Sequence, residues 1–384
     1  MHMKCWEVII LGYLGENIKK LGFGLMRLPQ EPAGVVDLEL TKKLVDMFME
    51  RGFTYFDTAY GYINGESEKA VKPALVDRYP RESFQLATKL PAWAGAKTAE
   101  EAKQMFYTSL ERTGAGYFDY YLLHNLGGNR VKSFDDFGIW DFALDLKAQG
   151  LIKHVGFSFH DSAEMLDTLL TAHPEMEFVQ LQINYADWES GAVQSRACLE
   201  VAAKHNKPVI IMEPIKGGAL SNPAPSVKKV FDDANPDASY ASWAIRFAAS
   251  QANVITVLSG MNTVEQMEDN TSYMQEFKPL SADEMKVIEQ VQAALAAMPS
   301  VPCTSCKYCV PDCPQKIFIP DIFNAMNAEL VYNDPEGSVR GYMMAKMFGS
   351  APASACIACG LCESVCPQKI EIIESLKKAS AKFD

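Results

Sequence analysis

Short apolar runs and amphipathic segments alternate along most of the chain, from Leu21 to Met261. An apolar run is typical of a buried strand, and apolar residues at every third or fourth position are typical of a helix packed on one face. The alternation repeats about every thirty residues, which indicates a closed α/β architecture. The predicted strands are Leu21–Leu28, Phe53–Thr58, Phe84–Leu90, Tyr117–His124, Ile152–Phe159, Phe178–Tyr185, Pro208–Ile215 and Val254–Met261. The predicted helices between them are Leu40–Glu50, Ser67–Asp77, Ala99–Arg112, Phe134–Ala148, Ala163–Thr171, Val193–His205 and Ser239–Ala249.

Eight strands that alternate with helices predict a (β/α)8 barrel, the TIM-barrel type of α/β fold. A doubly wound sheet is the alternative, but no Gly-x-Gly-x-x-Gly follows the first predicted strand. The segment Lys216–Asp237 is the longest gap between strands and predicts a loop that covers a ligand or is disordered. An Ala-rich helix over Ala282–Met298 ends the barrel, and Pro299 marks a boundary. We therefore expect a barrel domain over residues 1–298 and a second domain over residues 299–384.

Four polar side chains lie at or just beyond predicted strand ends, namely Asp57, Tyr62, Lys89 and His124. In barrels of this type, chemistry is placed on the loops after the carboxyl ends of the strands. Carbonyl reduction needs a proton donor, and a phenol with a pKa near 10 needs a neighbouring ammonium to release its proton. Tyr62 would be that acid, Lys89 would lower its pKa, and Asp57 would hold Lys89 by an ion pair. His124 would orient the substrate oxygen or assist the proton transfer.

Each of these four residues, taken singly, has a commoner structural explanation. A tyrosine in a turn usually packs, a lysine after a strand is usually solvated, and an aspartate often caps a turn. A single histidine on an apolar strand is usually a satisfied core residue. Their convergence at the strand ends of one barrel favours the catalytic interpretation.

Eight of the ten cysteines fall in two runs with identical spacing. The runs are Cys303-x-x-Cys306-x-x-Cys309-x-x-x-Cys313-Pro314 and Cys356-x-x-Cys359-x-x-Cys362-x-x-x-Cys366-Pro367. This spacing is typical of two [4Fe–4S] clusters, in which the fourth cysteine of each run binds the other cluster. It predicts one cluster on Cys303, Cys306, Cys309 and Cys366, and a second on Cys356, Cys359, Cys362 and Cys313. Two structural zinc sites are the alternative, although zinc more often uses paired Cys-x2-Cys hooks. The remaining cysteines, Cys5 and Cys198, are given no role.

The segment between the cysteine runs is predicted to be helical. Apolar positions of helical period over Ile322–Leu330 and Val339–Phe348 indicate two helices, so the second domain resembles the α-helical type of ferredoxin. A nicotinamide transfers two electrons at once and a cluster transfers one, and no flavin motif is found to join the two. Three roles stay open for the clusters: electron transfer with a ferredoxin-like partner, redox sensing, or bracing of this part of the chain.

From about Leu21 to Asn270 the chain resembles the aldo-keto reductases, and as a whole it resembles their branch with a C-terminal ferredoxin-type domain. The resemblance rests on Phe56-Asp57-Thr58-Ala59-x-x-Tyr62, Ala87-Thr88-Lys89, Tyr120-Tyr121-Leu122-Leu123-His124 and Gly156-Phe157-Ser158. It implies the catalytic roles given above and a nicotinamide cofactor that lies across the barrel without a Rossmann motif. It also implies that Ser158 and Gln180 meet the carboxamide. The adenosine end would be met by Gly260, Asn262, Gln266 and Asn270.

Three positions depart from the family pattern. Phe159 follows Ser158 where the family has asparagine, and His160 is the candidate replacement for that carboxamide contact. Met212 stands where many members place an aromatic ring against the nicotinamide, so a thioether would make this contact. Gly260 and Gln266 stand where many members have the cations that bind the 2′-phosphate of NADP. The expected cofactor is therefore NAD(P)H, with a slight preference for NADH.

Composition excludes some classes of partner. The chain has 36 Lys and Arg against 48 Asp and Glu, a formal net charge of −12. This charge repels phosphate backbones and anionic lipids, so nucleic acid and membrane surfaces are not expected partners. The longest apolar patch near the start is too short to span a bilayer, and we expect a cytoplasmic protein.

These patterns together predict an oxidoreductase that interconverts an aldehyde or ketone with the alcohol by hydride transfer. Tyr62 would be the general acid, and two [4Fe–4S] clusters would lie in an appended electron-transfer domain. The expected partners are a small carbonyl or alcohol substrate and a ferredoxin-like electron carrier. The alternative is a redox-responsive electron carrier or nucleotide-binding protein whose barrel turns over poorly.

Overall fold

The computed structural model of the protein describes residues 14–384 except residues 16, 32, 33, 192, 304, 306, 308, 312, 367 and 368. Cys5 and Cys306 lie outside the described residues. Within the described part, eight parallel strands pair in chain order and close into a barrel, because the last strand pairs with the first. The strands are β1 Leu21–Gly24, β2 Tyr55–Asp57, β3 Gln85–Leu90, β4 Phe118–Leu126, β5 Ile152–Phe159, β6 Phe178–Gln182, β7 Val209–Met212 and β8 Val254–Ser259. The predicted (β/α)8 barrel is confirmed.

The helices of the barrel part follow the strands, as the amphipathic pattern predicts. They are α1 Leu38–Glu50, α2 Glu66–Val71, α3 Ala99–Thr113, α4 Val131–Asp136, α5 Ile139–Ala148, α6 Ala163–Ala172, α7 Ser195–Lys204, α8 Pro225–Ala234, α9 Tyr240–Ala249 and α10 Val264–Met274. Two details correct the expectation. The single helix predicted over Phe134–Ala148 is divided into α4 and α5, because Gly138 adopts a left-handed φ of 61°. The loop predicted over Lys216–Asp237 contains helix α8, which begins at Pro225 in its first turn.

The barrel strands are buried, which explains why they read as nearly continuous apolar runs. Every residue of β2 and β8 is buried. One hydrophobic cluster joins residues of six strands, as expected for a filled barrel. Its members are Leu14, Tyr55, Ala87, Tyr120, Leu122, Phe178, Ile210, Ile255 and Leu258. Gly156 lets β5 and β6 approach closely, since a Cβ at this position would lie 2.3 Å from the carbonyl oxygen of Phe178.

The chain forms two compact units. The first contains the described residues up to Asn184 together with Ser195–Pro214 and Ala244–Leu280, and it holds all eight strands. The second contains Tyr185–Gln194, Ile215–Trp243 and Ser281–Asp384. Segments that follow β6 and β7 therefore belong to the same unit as the cysteine runs. The predicted domain boundary at residue 298 stays a prediction.

The C-terminal part of the second unit is α-helical. Its helices are α11 Ala282–Ala296, α12 Ile319–Tyr332, α13 Pro335–Met347, α14 Leu361–Ser364 and α15 Ile372–Phe383. The helices α12 and α13 correspond to the two predicted between the cysteine runs, although α13 ends at Met347, one residue early. Both begin earlier than predicted, and each has a proline in its first turn. Phe323, Tyr342 and Ile372 lie in their common buried core. No helix in the described part of the chain has the length and apolarity to cross a bilayer.

A buried network holds the turn after β2 in place. Glu68 is fully buried, and its carboxylate accepts hydrogen bonds from Thr88 Oγ1 at 2.7 Å and Arg112 Nη1 at 3.0 Å. The same nitrogen of Arg112 donates to the carbonyl oxygen of Tyr60 at 2.9 Å. Gly65 ends this turn with a φ of +91°, and a Cβ there would lie 2.9 Å from the Arg112 guanidinium. The turn is therefore tied to both β3 and α3.

We expect Arg112→Met to lower the free energy of unfolding by about 3 kcal/mol, because it leaves the buried Glu68 carboxylate without its cation. The double variant Glu68→Leu/Arg112→Met removes the stranded charge and should be more stable than Arg112→Met alone. Anaerobic urea unfolding of the cluster-containing protein, followed by circular dichroism, measures both. A double variant less stable than the single one would show that the pair is not the cause.

Candidate active site

The four predicted catalytic residues come from three adjacent strands and one turn. Asp57 is the last residue of β2 and pairs with Ala87 of β3. Lys89 lies near the end of β3, and His124 lies two residues before the end of β4. Tyr62 begins the short helical turn Tyr62–Gly65 that follows β2. Parallel strands in register therefore bring the three strand residues to the same end of the barrel.

Lys89 is the centre of this group, and its side chain is fully buried beside Asp57. Its ammonium donates to Asp57 Oδ1, to the carbonyl oxygen of Thr58 at 2.8 Å and to Tyr62 Oη at 3.3 Å. The second carboxylate oxygen of Asp57 accepts from Gln180 Nε2 at 3.1 Å. Because an ammonium has three hydrogens, all of its donors are used.

Burial decides the protonation of Tyr62. It raises the pKa of Tyr62 above the ordinary value, and the Lys89 charge lowers that pKa by a smaller amount. The expectation that Lys89 brings the phenol pKa down is therefore wrong in its net result, although its direction of action is as predicted. Burial acts against the Lys89 ammonium, but Asp57 and Tyr62 outweigh it and raise the pKa of Lys89. Tyr62 thus holds its proton at neutral pH beside a charged lysine.

His124 lies against Tyr62, with ring centroids 5.9 Å apart and nearly perpendicular planes. Burial, and then the charges of Lys89, His160 and Arg130, hold the pKa of His124 well below its usual value. Its Nδ1 is buried and has no hydrogen-bond partner among the described residues. A neutral imidazole donates from one nitrogen only, so His124 can orient an oxygen but carries no charge.

The residues that the family resemblance assigns to the carboxamide lie in the barrel beside these groups. Ser158 is buried, and its Oγ accepts from the backbone N–H of Asn125 at 2.7 Å. Gln180 is buried and bonded to Asp57. Phe159 is buried and offers no polar side-chain atom. Desolvation by the surrounding protein, and then the Arg130 charge, lower the pKa of His160 to about 4.

An ion pair that sequence reasoning missed lies next to Met212, the last residue of β7. Arg27 Nη2 lies 3.2 Å from Glu213 Oε1. Glu213 adopts a left-handed φ of 54°, and its carbonyl accepts from Asn184 Nδ2 at 3.1 Å. Glu213 lies inside the predicted strand Pro208–Ile215, but the structure ends β7 at Met212, so a correct strand end would have grouped Glu213 with the other polar residues at strand ends.

The four residues assigned to the adenosine end lie after β8 and on α10. Gln266 Oε1 accepts from the backbone N–H of Asn262 at 2.9 Å. Asn270 is buried, donates to Ser259 Oγ at 2.9 Å and accepts from Tyr273 Oη at 2.8 Å. Gly260 lies beside Arg27, since a Cβ there would be 3.7 Å from the arginine Cβ. These contacts lie at the end of β8 and along α10.

Four cysteines line one cavity in the second unit. Cys313 comes from the first cysteine run and the other three from the second. The lining residues are Cys313, Pro314, Gln315, Ile317, Ile319, Cys356, Ile357, Cys359, Cys362, Ile373 and Leu376. Four thiols in an apolar cavity are the donor set that an iron–sulfur cluster takes. No three His, Cys, Asp or Glu of the described chain converge on a point that a single ion would occupy. Each thiolate of a cubane binds a different iron, so its ligands need not converge on one point.

The other predicted cluster draws on Cys303, Cys309 and Cys366, with Cys306 outside the described residues. Cys309 is a buried member of the hydrophobic core of the helical part, and Cys303 and Cys366 pack against that core. Neither they nor the cysteines of the cavity form a disulfide in the described chain.

Two family models match this chain, one over the barrel and one over the C-terminal cysteine runs. The Aldo/keto reductase family model matches residues 20–293, and the 4Fe-4S dicluster domain model matches residues 302–371. The uncharacterized oxidoreductase YqkF of Bacillus subtilis is 22% identical over 308 residues, covering 73% of this chain and 94% of that protein.

Solved structures show the same fold. The holo form of aldo-keto reductase AKR11C1 from Bacillus halodurans superposes with a TM-score of 0.60 at 24% identity, covering 72% of this chain and 94% of the other. An aldo-keto reductase from Klebsiella pneumoniae in complex with NADPH gives a TM-score of 0.57 at 20% identity, covering 73% and 93%. The family match spans the whole barrel and the four polar residues at its strand ends. The chain therefore belongs to the aldo/keto reductase family and carries, after the barrel, a C-terminal 4Fe-4S dicluster domain.

Proposed function

We propose that this oxidoreductase reduces an aldehyde or ketone to the alcohol with NAD(P)H, with Tyr62 as the general acid. The observation that carries the proposal is the 3.3 Å contact between Lys89 Nζ and Tyr62 Oη, made by a lysine that is buried and paired with Asp57. A buried ammonium fixed against a phenol oxygen has little structural purpose, because burial of a charge costs free energy. It does stabilise the phenolate that forms when Tyr62 gives its proton away.

Each residue of the site would have its own role in the proposed reduction. When bound, the reduced nicotinamide supplies the hydride. Tyr62 Oη donates its proton to the carbonyl oxygen, and Lys89 Nζ stabilises the resulting phenolate until solvent returns a proton. Asp57 keeps Lys89 charged and in position. His124, which is neutral, donates a hydrogen bond that orients the carbonyl oxygen toward Tyr62.

The protonation states favour the reductive direction. Reduction needs a protonated acid, and the raised pKa of Tyr62 keeps the phenol protonated across the neutral range. Oxidation of an alcohol would need the phenolate, which burial disfavours. The same enzyme catalyses both directions, but the oxidative one requires alkaline pH to be fast.

The cofactor would lie between the two groups of residues assigned by family resemblance. Ser158 and Gln180 would hold the carboxamide, and Met212 would pack on the ring. Gly260, Asn262, Gln266 and Asn270 would meet the adenosine, close to the N-terminal end of α10, where backbone N–H groups favour anions. The related Klebsiella pneumoniae protein binds NADPH. Gly260 and Gln266 carry no charge, so the slight preference for NADH is kept as part of the proposal.

We also propose that the C-terminal domain holds two [4Fe–4S] clusters with exchanged fourth ligands. The cavity that joins Cys313 to the second cysteine run supports this arrangement. The other cluster would use Cys303, Cys306, Cys309 and Cys366. The two clusters would pass single electrons to or from a ferredoxin-like carrier, and redox sensing and bracing are the competing roles.

Tyr62→Phe should lower the rate of carbonyl reduction at least about a hundredfold, because the general acid is lost while the ring remains. Nucleotide binding, measured by fluorescence titration, should be unchanged. Tyr60→Phe is the matched control, since Tyr60 lies in the same turn and its ring contacts Arg112 rather than Lys89. Turnover by Tyr62→Phe equal to that of Tyr60→Phe would refute the assignment.

The rate of hydride transfer during reduction should be flat between about pH 6 and pH 9. Tyr62 has a pKa raised above 10, His124 has one well below 6.5, and His160 has one of about 4, so none of them titrates in this window. Single-turnover measurements of nucleotide oxidation isolate this step. A midpoint near pH 7 would mean that another group is the acid.

Cys313→Ser should remove about half of the iron and of the visible charge-transfer absorbance, because it takes one ligand from only one of two clusters. The control is Cys198→Ala, which removes a buried thiol of α7 and should leave the iron content unchanged. Iron analysis and absorbance of anaerobically reconstituted protein give the result. Full iron content in Cys313→Ser would exclude the exchanged ligand set.

A further inference from the structure

Arg130 lies in the segment after β4, and its side chain bonds to the backbone of β4 and of the residue after β5. Its Nε donates to the carbonyl oxygen of Asn125 at 2.7 Å, and its Nη2 lies 3.5 Å from the carbonyl oxygen of His160. Gly127 makes room for it, since a Cβ there would lie 3.1 Å from Arg130 Nη2. The guanidinium is thus fixed by backbone groups, while Nη1 meets no acceptor among the described residues.

The positive charge of Arg130 affects two histidines at or near the candidate active site. Together with other groups it lowers the pKa of His124, whose ring faces Tyr62, and the pKa of His160. A charge can act on both imidazoles only from a position near them, since electrostatic interactions weaken with distance and screening. Arg130 Nε is bonded to the carbonyl oxygen of Asn125, the residue after His124, and this contact places Arg130 beside the end of β4 that carries His124.

Arg130 differs from two other cations of the candidate site in its ion pairing. Lys89 is paired with Asp57, and Arg27 with Glu213. In the described chain, no carboxylate lies within ion-pair distance of Arg130.

Asp161, the acidic residue whose charge acts on Arg130, is engaged by the backbone instead. Its two oxygens accept from the N–H groups of Gly128 at 2.6 Å and Ser162 at 2.7 Å.

Two buried polar atoms of adjacent residues, one of which binds Arg130 through its backbone carbonyl, support a ligand in this region. Asn125 Oδ1 and His124 Nδ1 are buried without a hydrogen-bond partner in the described part of the chain. Buried polar atoms are nearly always satisfied in a complete structure. The ends of an amide differ only by the hydrogen bonds assigned to them, so Asn125 can turn to offer its N–H2 to an oxygen.

We propose that the substrate is an aldehyde or ketone that carries a carboxylate, and that Arg130 binds this carboxylate while the carbonyl group lies at Tyr62 and His124. The inference rests on the proposed carbonyl reduction and adds its substrate class. A guanidinium presents two parallel N–H groups to a carboxylate, which fixes both its position and its orientation. The carboxylate is unchanged by the reaction: hydride adds to the carbonyl carbon, the proton from Tyr62 adds to its oxygen, and the nicotinamide is oxidised.

The test compares two aldehydes of similar size, 4-carboxybenzaldehyde and the neutral 4-formylbenzamide, with cluster-containing protein. The wild type should favour the carboxylate by kcat/KM. Arg130→Met should reduce kcat/KM for the carboxylate about tenfold to hundredfold, mostly through KM, and should change the amide less than about twofold. Arg130→Lys should recover part of the loss. Lys132→Met is the control for total charge, because Lys132 lies in the same segment, is 77% exposed and pairs with Asp136.

A second measurement separates failure of this inference from failure of the proposed reduction. Calorimetry with 4-methylbenzoate and 4-methylbenzamide, neither of which can react, reports binding alone. Benzoate binding that is weakened at least about tenfold by Arg130→Met, but not by Lys132→Met, supports the site even if no aldehyde is reduced. Equal benzoate binding by wild type and Arg130→Met, or an equal loss of both aldehydes, would overturn it. A raised KM for nucleotide in Arg130→Met would instead assign Arg130 to the cofactor.

Discussion

The buried ion pair between Lys89 and Asp57 is the interaction on which the candidate site depends. Removing two charges from water is costly, and the cost is offset only when every donor and acceptor is used. Here the ammonium has three acceptors, and the second carboxylate oxygen is bonded to Gln180. Because β2 and β3 are adjacent and in register, the two side chains meet at the strand ends without a flexible loop. The pair is therefore rigid, and Tyr62 is held against it.

Burial also determines the protonation states of the side chains next to Lys89. It keeps Tyr62 protonated and His124 neutral, so the site has a protonated phenol and a neutral imidazole beside a fixed positive charge. A more open site would lower the pKa of the phenol and would also weaken the attraction of Lys89 for the phenolate, because water screens both effects. For the proposed reaction, Tyr62 would be an acid that ionises less easily but whose phenolate is strongly stabilised, which suits reduction better than oxidation.

The C-terminal 4Fe-4S domain is organised around cysteine side chains instead. Its helices enclose cysteines that come from two distant runs, and one cavity takes Cys313 from the first run and three cysteines from the second. The proposed cross-ligation would make cluster binding and folding of the helical part interdependent. Segments after β6 and β7 belong to the same compact unit as these helices.

The sequence by itself determined the barrel, the helical cysteine domain and the convergence of Asp57, Tyr62, Lys89 and His124. Strand and helix periods are local properties, cysteine spacing is covalent, and parallel strands necessarily end at one side. Only the tertiary structure decided the net direction of the Tyr62 pKa, because burial sums over neighbours from the whole barrel. It also decided that Arg27 meets Glu213 and that Arg130 has no carboxylate partner in the described chain. Such contacts join residues far apart in sequence, and no local pattern contains the distance between them.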